Sequence, residues 1–211
     1  MQREQIQLRN ASIALLTRAD TLCRTWSRHQ STALALFQSL SNILAQRTAT
    51  LDIASVHRHG VQPERLMYKQ TVAFEETLVQ LQRVMTLFQN VLEEWNMLER
   101  NCEKHLAKHL SMPQSNRAAP LSTESLIQVA AIQPDVVHTL VANLCFMHRR
   151  EYNYKTTLLS TLPQHCNNTQ DLDLLVNRWD DQSSIDKTVH EDIIERLKLY
   201  NFVKKVVESK D

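Results

Sequence analysis

The sequence predicts an all-α fold, and three observations support that prediction. The 211 residues include a single glycine, Gly60, and five prolines. The tight turns of β-proteins depend on glycine at positive φ, so a chain with one glycine can hardly connect many strands. Good helix formers dominate the composition, and apolar residues recur at steps of three and four. With 43% apolar residues, the chain can also bury a core.

The first predicted helix covers most of residues 1–59, a stretch without glycine or proline. Its apolar residues follow helical spacing, and in order they are Leu15, Ala19, Leu22, Trp26, Ala33, Phe37, Leu40 and Leu44. A polar patch at 27–31 leaves open whether this helix is continuous or kinked. Gly60 and Pro63 then predict a turn near residues 57–63.

A second helix of nearly equal length is predicted to follow this turn, beginning at Glu64. Its apolar positions are Phe74, Leu78, Leu81, Met85, Phe88, Leu92, Trp95, Leu98, Cys102 and Leu106. Two helices of matching length and matching apolar faces, joined by a short turn, favour a long antiparallel hairpin. The sequence therefore predicts a coiled-coil-like hairpin over residues 1–112.

A linker is predicted at residues 111–122, which hold two prolines and small polar residues. Residues 113–211 are then predicted to form a smaller C-terminal helical bundle. Within this bundle, Pro134 is expected to open one helix and Pro163 to end it. The chain thus divides, by prediction, into a hairpin and a bundle.

The next helix of the bundle is predicted at residues 171–182. The last helix is predicted to begin at a capping-box signature formed by Thr188 and Glu191. The stripe expected to face inward on the final helix consists of Ile193, Leu197, Tyr200 and Val207. Large aromatic side chains contribute most to burial, so the tryptophans are predicted core anchors. They are Trp26, Trp95 and Trp179.

Charge and composition disfavour several classes of protein. Lys and Arg number 24 against 23 Asp and Glu, a net charge of +1, whereas dedicated nucleic-acid binders carry a basic excess. The polar start predicts no signal peptide, and the longest apolar runs are too short to span a bilayer. The four cysteines show no CxxC pairing and are expected to be reduced thiols of an intracellular protein.

An enzymatic role is not expected, and neither is a cofactor. One glycine cannot build a glycine-rich phosphate loop, and neither GxSxG nor HExxH occurs. A weak metal candidate is formed by Cys102, His105 and His109, whose spacing places them on one helical face. The alternative is that Cys102 belongs to the apolar stripe and the histidines favour a helix C-terminus without any metal.

The stretch MHRREYNYK, at residues 147–155, is the candidate partner-binding site. Mixtures of tyrosine and arginine are enriched in protein interfaces, where flat rings and forked donors anchor a partner. The candidate residues are Arg149, Arg150, Tyr152, Tyr154 and Lys155. Two alternatives remain open: the tyrosines half-bury against neighbouring helices while the basic stems extend outward, or the patch contacts RNA or DNA.

The order of motifs in the C-terminal half resembles the AIRIM family, the AAA+ ATPase-interacting ribosome maturation factors. The run SLIQVAAIQPDVV precedes RREY, LLSTL, NRWDD and HEDIIERL in turn. The matching positions are Pro134 and residues 149–152, 158–160, 179–180 and 190–192. The match covers roughly 85 residues well, and in the first half it extends to FQSLSNIL and ERLMYKQ, where the signal is that of many coiled coils.

This resemblance implies a non-catalytic adaptor subunit. Proteins of this family act with a CINP-like helical partner (CINP is a cyclin-dependent-kinase interactor) and with two AAA+ ATPases of the Cdc48-like type. The assembly drives ATP-dependent maturation of large ribosomal subunit precursors and is linked to remodelling of replication-fork proteins on chromatin. The implied localisation is nucleus and cytoplasm, with pre-ribosomal particles contacted indirectly.

The chain departs from the family pattern at His148, where an aromatic residue is expected, and it is therefore interpreted as a divergent homologue. The related CINP-like family, which has a similar helical layout, is the second choice. Two other functions remain open on the residues alone. The chain is compatible with an autonomous coiled-coil scaffold protein or with an RNA-contacting assembly factor.

Overall fold

A computed structural model describes residues 2–51, 62–112, 127–166 and 168–209 of the chain. Five helices account for most of these residues, and none of the described residues lies in a strand. The helices are α1 (Gln2–Leu51), α2 (Pro63–Leu110), α3 (Pro134–His165), α4 (Thr169–Asp181) and α5 (Lys187–Glu208). The predicted all-α fold class is confirmed.

Helices α1 and α2 pack against each other in opposite directions, as predicted for the arms of a hairpin. Near the start of α1, Ser12 lies within hydrogen-bond distance of His105 near the end of α2. Near the other ends, Gln70 of α2 donates to the hydroxyl of Thr50 of α1. The predicted turn near residues 57–63 lies largely outside the described residues.

The polar patch at 27–31 does not interrupt α1, which is a single helix from Gln2 to Leu51. The hydroxyl of Ser31 donates to the backbone carbonyl of Ser27 at 3.1 Å, one turn earlier. Such a local bond satisfies a serine hydroxyl without opening the backbone ladder. The patch therefore forms an ordinary polar segment of a continuous helix.

Two predicted helix boundaries need correction. α3 does not end at Pro163 but continues to His165. Pro163 has no N–H to donate to the carbonyl one turn earlier, but only two residues of α3 follow it, so the helix is interrupted no further. The N-cap of α5 is Asp186 rather than Thr188, since the Asp186 side chain accepts from the Thr188 backbone N–H at 2.9 Å.

Clustering of the described contacts divides the chain into two compact units. Unit 1 comprises Met1–Thr25, Val91–Arg149 and Ser184–Asp211, and unit 2 comprises Trp26–Asn90 and Arg150–Ser183. Each unit therefore takes segments of α1, α2 and α3, and adds one whole helix. That helix is α5 in unit 1 and α4 in unit 2.

The core of each unit is formed by side chains from all of its helical segments. In unit 1 the core includes Leu16, Ala19, Leu22, Trp95, Leu98, Val137, Val141, Leu144, Ile193 and Tyr200. In unit 2 it includes Trp26, Phe37, Leu40, Leu81, Phe88, Leu162, Leu172, Leu175 and Trp179. All three tryptophans are thus buried.

These units draw residues from both sides of the predicted boundary at 111–122. The predicted hairpin over residues 1–112 and the predicted bundle over residues 113–211 each contribute to both cores. A division of the chain into two independently folding domains at that point stays a prediction. Unfolding of a fragment of residues 1–112 would test it.

Among the described residues, one helical stretch is long and apolar enough to cross a membrane by length and composition alone. This stretch, Ile127–His165, has a mean hydropathy of 1.3 over its best window. The buried core helix of a soluble protein passes the same test. Val137, Val141 and Leu144 of this stretch lie in the core of unit 1, and 33% of its most apolar window is buried.

Candidate partner-binding site

The five side chains of the candidate partner-binding site point in different directions from α3. Arg149 and Arg150 are exposed, and Tyr152 and Tyr154 are partly exposed. Lys155 is fully buried. Successive residues of a helix are rotated by about 100°, so a run of seven cannot share one face. Lys155 does not belong to an exposed surface, and its assignment to a partner contact is corrected.

Lys155 instead anchors the core of unit 2. Its Nζ donates to the backbone carbonyl of Trp179 at 2.7 Å and lies 3.1 Å from Oε1 of Glu151. The same nitrogen lies 4.5 Å from the centroid of the Trp179 ring. Both members of the ion pair are fully buried. Burial lowers the pKa of Lys155 to about 8, against the opposing effect of the Glu151 carboxylate.

The carbonyl of Trp179 is the last-turn acceptor of α4, where helical N–H partners run out. It accepts from Lys155 and also from Nε2 of Gln30 at 3.1 Å. A positive charge at a helix C-terminus is further favoured by the helix dipole. The buried ammonium therefore fixes the end of α4 in place.

Aromatic rings complete this core around Trp179. Phe37 meets the indole edge to face at 5.0 Å between centroids, and Phe88 does so at 6.5 Å. Trp26 lies 4.4 Å from Phe88, and its Nε1 donates to Oε1 of Gln182 at 3.0 Å. Trp179 thus lies at the centre of a packed aromatic cluster in unit 2, whereas the following Asp180 is exposed.

Arg149 lies in unit 1 and is bound on one side only. One Nη donates to Oδ1 of Asn96 at 2.6 Å and lies 4.0 Å from Oε2 of Glu99. The Cys145 thiol donates to the same Glu99 carboxylate at 3.3 Å. Burial raises the pKa of this thiol to about 12, and the nearby Glu99 carboxylate adds to the increase. The Arg149 side chain is still 53% exposed. The guanidinium is therefore oriented by the protein while part of it remains accessible.

The resemblance predicts an aromatic residue at position 148, and the His148 ring packs as an aromatic one. Its ring stacks on the Trp95 indole at 5.0 Å between centroids and an interplanar angle of 30°. Nδ1 lies 2.7 Å from the carbonyl of Leu144. Burial lowers the pKa of His148 to about 4, and the charge of His190 contributes to this decrease. The hydrogen bond with the Leu144 carbonyl acts in the opposite direction and raises the pKa. At neutral pH the ring is uncharged and suited to stacking.

His190, another residue of the family pattern, holds α5 to α1 within unit 1. Its Nε2 lies 2.8 Å from Oδ1 of Asp20, which also accepts from Nε of Arg24 at 3.1 Å. Burial raises the pKa of Asp20, but the bonds from Arg24 and His190 outweigh it and hold that pKa below its usual value. The Asp20 carboxylate thus joins two helices.

The weak metal candidate does not assemble. Among the described residues, no group of three or more histidine, cysteine, aspartate or glutamate side chains could hold a metal ion. Cys102 is fully buried. Burial raises the pKa of its thiol to about 12, and the negative charges of Glu99 and Glu103 add to the increase. Nε2 of His105 lies 2.9 Å from the Ser12 hydroxyl, so this histidine has a partner in α1. His109 is only partly buried.

An exposed apolar surface on α5 escaped the sequence reasoning. Leu199 is 59% exposed and Phe202 is 66% exposed, with the partly buried Val206 one turn further on. Lys198 and Lys205 are exposed beside them. We call these five residues the α5 surface. Only one apolar stripe was predicted on this helix, although a second set of apolar residues spaced by three and four is present in the sequence.

One comparison identifies a family. A model of the CA109-like family, described as ribosome biogenesis protein C1orf109-like, matches residues 8–198. The match extends through α1, α2, α3 and α4 and into α5. AIRIM is the C1orf109 family, so the matching model is that of the family which the C-terminal motifs resemble. No curated protein matches the chain.

Proposed function

Because the chain belongs to the family of C1orf109-like ribosome biogenesis proteins, we propose that it is a non-catalytic adaptor subunit of an AAA+ ATPase complex. In this role it acts in the ATP-dependent maturation of large ribosomal subunit precursors. The family match over residues 8–198 is the single observation that carries the proposal. Divergence within the family, and the choice of this family over the CINP-like one, belong to the same proposal.

The adaptor role is supported by how the described ionisable groups are used. The bond from Lys155 to the Trp179 carbonyl, the stacking of His148 on Trp95 and the Asp20–His190 contact each join two helices of the scaffold. Each of these groups is buried or partly buried and occupied by another residue of the chain. Such groups stabilise the fold, whereas an active site needs groups that face a substrate.

The proposed partners are a CINP-like helical protein and Cdc48-like AAA+ ATPases, with pre-ribosomal particles reached through them. Remodelling of replication-fork proteins is a further proposed activity of the same complex, and the proposed localisation is nucleus and cytoplasm. The exposed Arg149 and Arg150, with the partly exposed Tyr152 and Tyr154, are the proposed contact on α3. Arginine and tyrosine side chains of this kind are frequent anchors in protein interfaces.

Co-purification from cells tests the adaptor role. A tagged wild-type chain should recover the ATPases, the CINP-like protein and pre-ribosomal factors. Arg150→Glu alone, and Arg149→Glu with Arg150→Glu, should reduce this recovery at least tenfold. The matched control is Arg83→Glu with Arg178→Glu, which reverses two exposed arginines outside the candidate site.

Several outcomes would contradict this proposal. Recovery of cytoskeletal proteins without ATPases would favour an autonomous scaffold, and unchanged recovery in both arginine variants would remove the contact on α3. Direct RNA binding that falls steeply with salt would favour an RNA-contacting factor. Hydrolysis of ATP by the purified chain alone would reject the non-catalytic role.

A further inference from the structure

We propose that the α5 surface docks an amphipathic helix of a partner protein, one that carries acidic residues beside its apolar stripe. The proposal deepens the adaptor role, because it names the chemistry of one docking segment. It rests on that role only in requiring that the chain has a protein partner. The argument comes from exposure, spacing and charge on α5.

The apolar part of the surface is too exposed for a helix that has completed its packing. Ile193 and Tyr200 already bury one face of α5 in the core of unit 1. Leu199, Phe202 and Val206, spaced by three and four residues, lie about 120–180° around the helix from Ile193, on the side of α5 away from that core. Scattered exposed leucines are ordinary, but a leucine and a phenylalanine on adjacent turns of one face form a patch. A second helix fits such a row of side chains.

Charge selects the partner's chemistry. Residues 196–205 contain four basic side chains, and residues 196–207 contain no acidic one. Two of the four are paired along the helix: Arg196 with Asp192 at 2.9 Å, and Lys204 with Glu208 at 3.9 Å. Lys198 and Lys205 have no ion pair among the described residues, and both are exposed beside the apolar patch.

The lysines therefore present charge that an incoming carboxylate can neutralise. They stand seven residues apart, two turns of the helix, so they border the same edge of the patch. A partner helix with Glu or Asp at the matching spacing would meet both ammonium groups while its apolar stripe covers Leu199 and Phe202. Electrostatic complementarity of this kind fixes orientation and register in addition to raising the association rate.

A lipid surface is the competing occupant, since basic amphipathic helices also bind anionic membranes. Membrane-bound helices of that type immerse a wide apolar face. On α5 the face that holds Ile193 and Tyr200 is buried in protein, and Leu199, Phe202 and Val206 on the far side span only about 60° around the helix, which is a narrow strip. A narrow strip with charge along one edge suits a single helix better than a bilayer.

Fluorescence anisotropy with synthetic peptides tests the proposal on the full-length chain. The probe is a labelled amphipathic peptide of about five turns with leucines on one face and glutamates beside them. A second peptide carries lysine at each glutamate position. The acidic peptide should bind saturably and the lysine peptide at least about tenfold more weakly. Phe202→Ser, and separately Lys198→Glu with Lys205→Glu, should weaken the acidic peptide by about tenfold or more.

Matched controls keep the result specific. Leu174→Ser removes an apolar side chain that is 61% exposed on α4, and Lys187→Glu reverses an exposed charge at the other end of α5. Both variants should bind like the wild type. Because the altered residues are exposed, thermal unfolding should show that all variants fold. The double lysine variant keeps Phe202 in place, so it tests the surface even if Phe202→Ser is destabilised.

Four results would overturn the inference. The first is equal binding of the two peptides, and the second is equal binding of the acidic peptide by the wild type and both α5 variants. The third is binding to anionic phospholipid vesicles that exceeds peptide binding. The fourth is a wild-type dimer that Phe202→Ser makes monomeric. Failure of the adaptor role looks different. In that case the acidic peptide still binds the α5 surface, while co-purification recovers no ATPase.

Discussion

At the scale of single residues, α3 keeps two ionisable side chains buried by opposite means. Lys155 keeps its charge in the core of unit 2, because a carboxylate, a carbonyl and an indole ring surround its ammonium group. His148 in unit 1 is buried as a neutral imidazole, and its ring stacks on Trp95. Buried charges need close partners, whereas a neutral imidazole needs only one hydrogen bond and a fitting cavity.

Removing one member of the Lys155–Glu151 pair should destabilise the protein strongly, whereas replacing both members with apolar residues should destabilise it little. Lys155→Met leaves the buried Glu151 carboxylate without its ammonium partner, which should lower the free energy of unfolding by about 3–5 kcal/mol. Adding Glu151→Leu should recover most of this loss, since an apolar pair of similar volume removes both charges. Urea denaturation measures all three proteins. Equal losses for the single and the double variant would show that the two residues are not coupled.

His148 should make the protein sensitive to mild acid. Its pKa in the folded state, about 4, lies below its ordinary value of 6.5. Between these pH values the unfolded chain binds a proton that the folded chain refuses, so stability falls as the pH falls from about 6.5 to 4. The full loss is about 3 kcal/mol.

His148→Phe provides the measurement for this effect. Phenylalanine can stack on Trp95 but has no titratable proton, so the variant should fold and should lose much of the slope of stability against pH. A smaller slope should remain, since burial also lowers the pKa of His105 and of His29. Urea midpoints at several pH values compare the two proteins. An unchanged slope in His148→Phe would reject the assignment.

The sequence could predict the character of the candidate site but not which of its residues face inward. Arg149, Tyr152 and Lys155 follow one another by threes and so lie on one helical strip. Which end of that strip is buried depends on the last turn of α4, whose carbonyl attracts Lys155. That carbonyl comes from residue 179, and no local pattern around residue 155 reports it. The aromatic use of His148 depends likewise on the distant Trp95.

At the scale of elements, α4 shows how a short helix is held in place. Asn168 caps its start by accepting from the backbone N–H of Asp171 at 2.7 Å. Its far end is bonded through the Trp179 carbonyl, and the chain then turns at Gln182 with φ 46°. Left-handed residues at helix ends are usually glycine, since a Cβ is unfavourable there. Gln182 keeps this conformation while its side chain accepts from Trp26.

Two substitutions at Gln182 separate these contributions. Gln182→Ala loses the bond from the Trp26 indole and keeps a Cβ, so it should be destabilising by about 1 kcal/mol. Gln182→Gly loses the same bond but relieves the left-handed backbone, so it should be more stable than the alanine variant by about 1 kcal/mol. Thermal unfolding compares the pair. Equal stability of the two variants would mean that the positive φ costs nothing.

Periodicity and composition were sufficient to predict the helices themselves, but their ends depend on single contacts. Proline is a strong stop signal, yet α3 passes Pro163 because little of the hydrogen-bond ladder remains beyond it. The sequence contains the capping-box pattern of Thr188 and Glu191, but the Asp186 carboxylate accepts from both the backbone N–H and the hydroxyl of Thr188. Several side chains near a helix start can cap it, and only the geometry decides between them.

At the scale of the whole molecule, each compact unit is assembled from segments that are distant in the sequence. The units share α1, α2 and α3 between them, and each unit contains residues from both sides of the predicted linker at 111–122. The apolar stripes of the two long helices were visible in the sequence. The helices that would cover those stripes were not, because a stripe reports that a face is buried but not by which element.

A fragment of residues 1–112 tests whether the long hairpin can fold alone. It retains α1 and α2 but removes one partner of each tryptophan in these helices: His148 from Trp95, and Gln182 from Trp26. The fragment should therefore expose both indoles, with red-shifted fluorescence, and should melt broadly at a much lower temperature than the full chain. Without α3, α4 and α5, the stripes of the hairpin face water along much of their width, and helices without tertiary packing are only marginally stable. A sharp melt near that of the full chain, with blue-shifted tryptophan emission, would instead establish the hairpin as an independent domain.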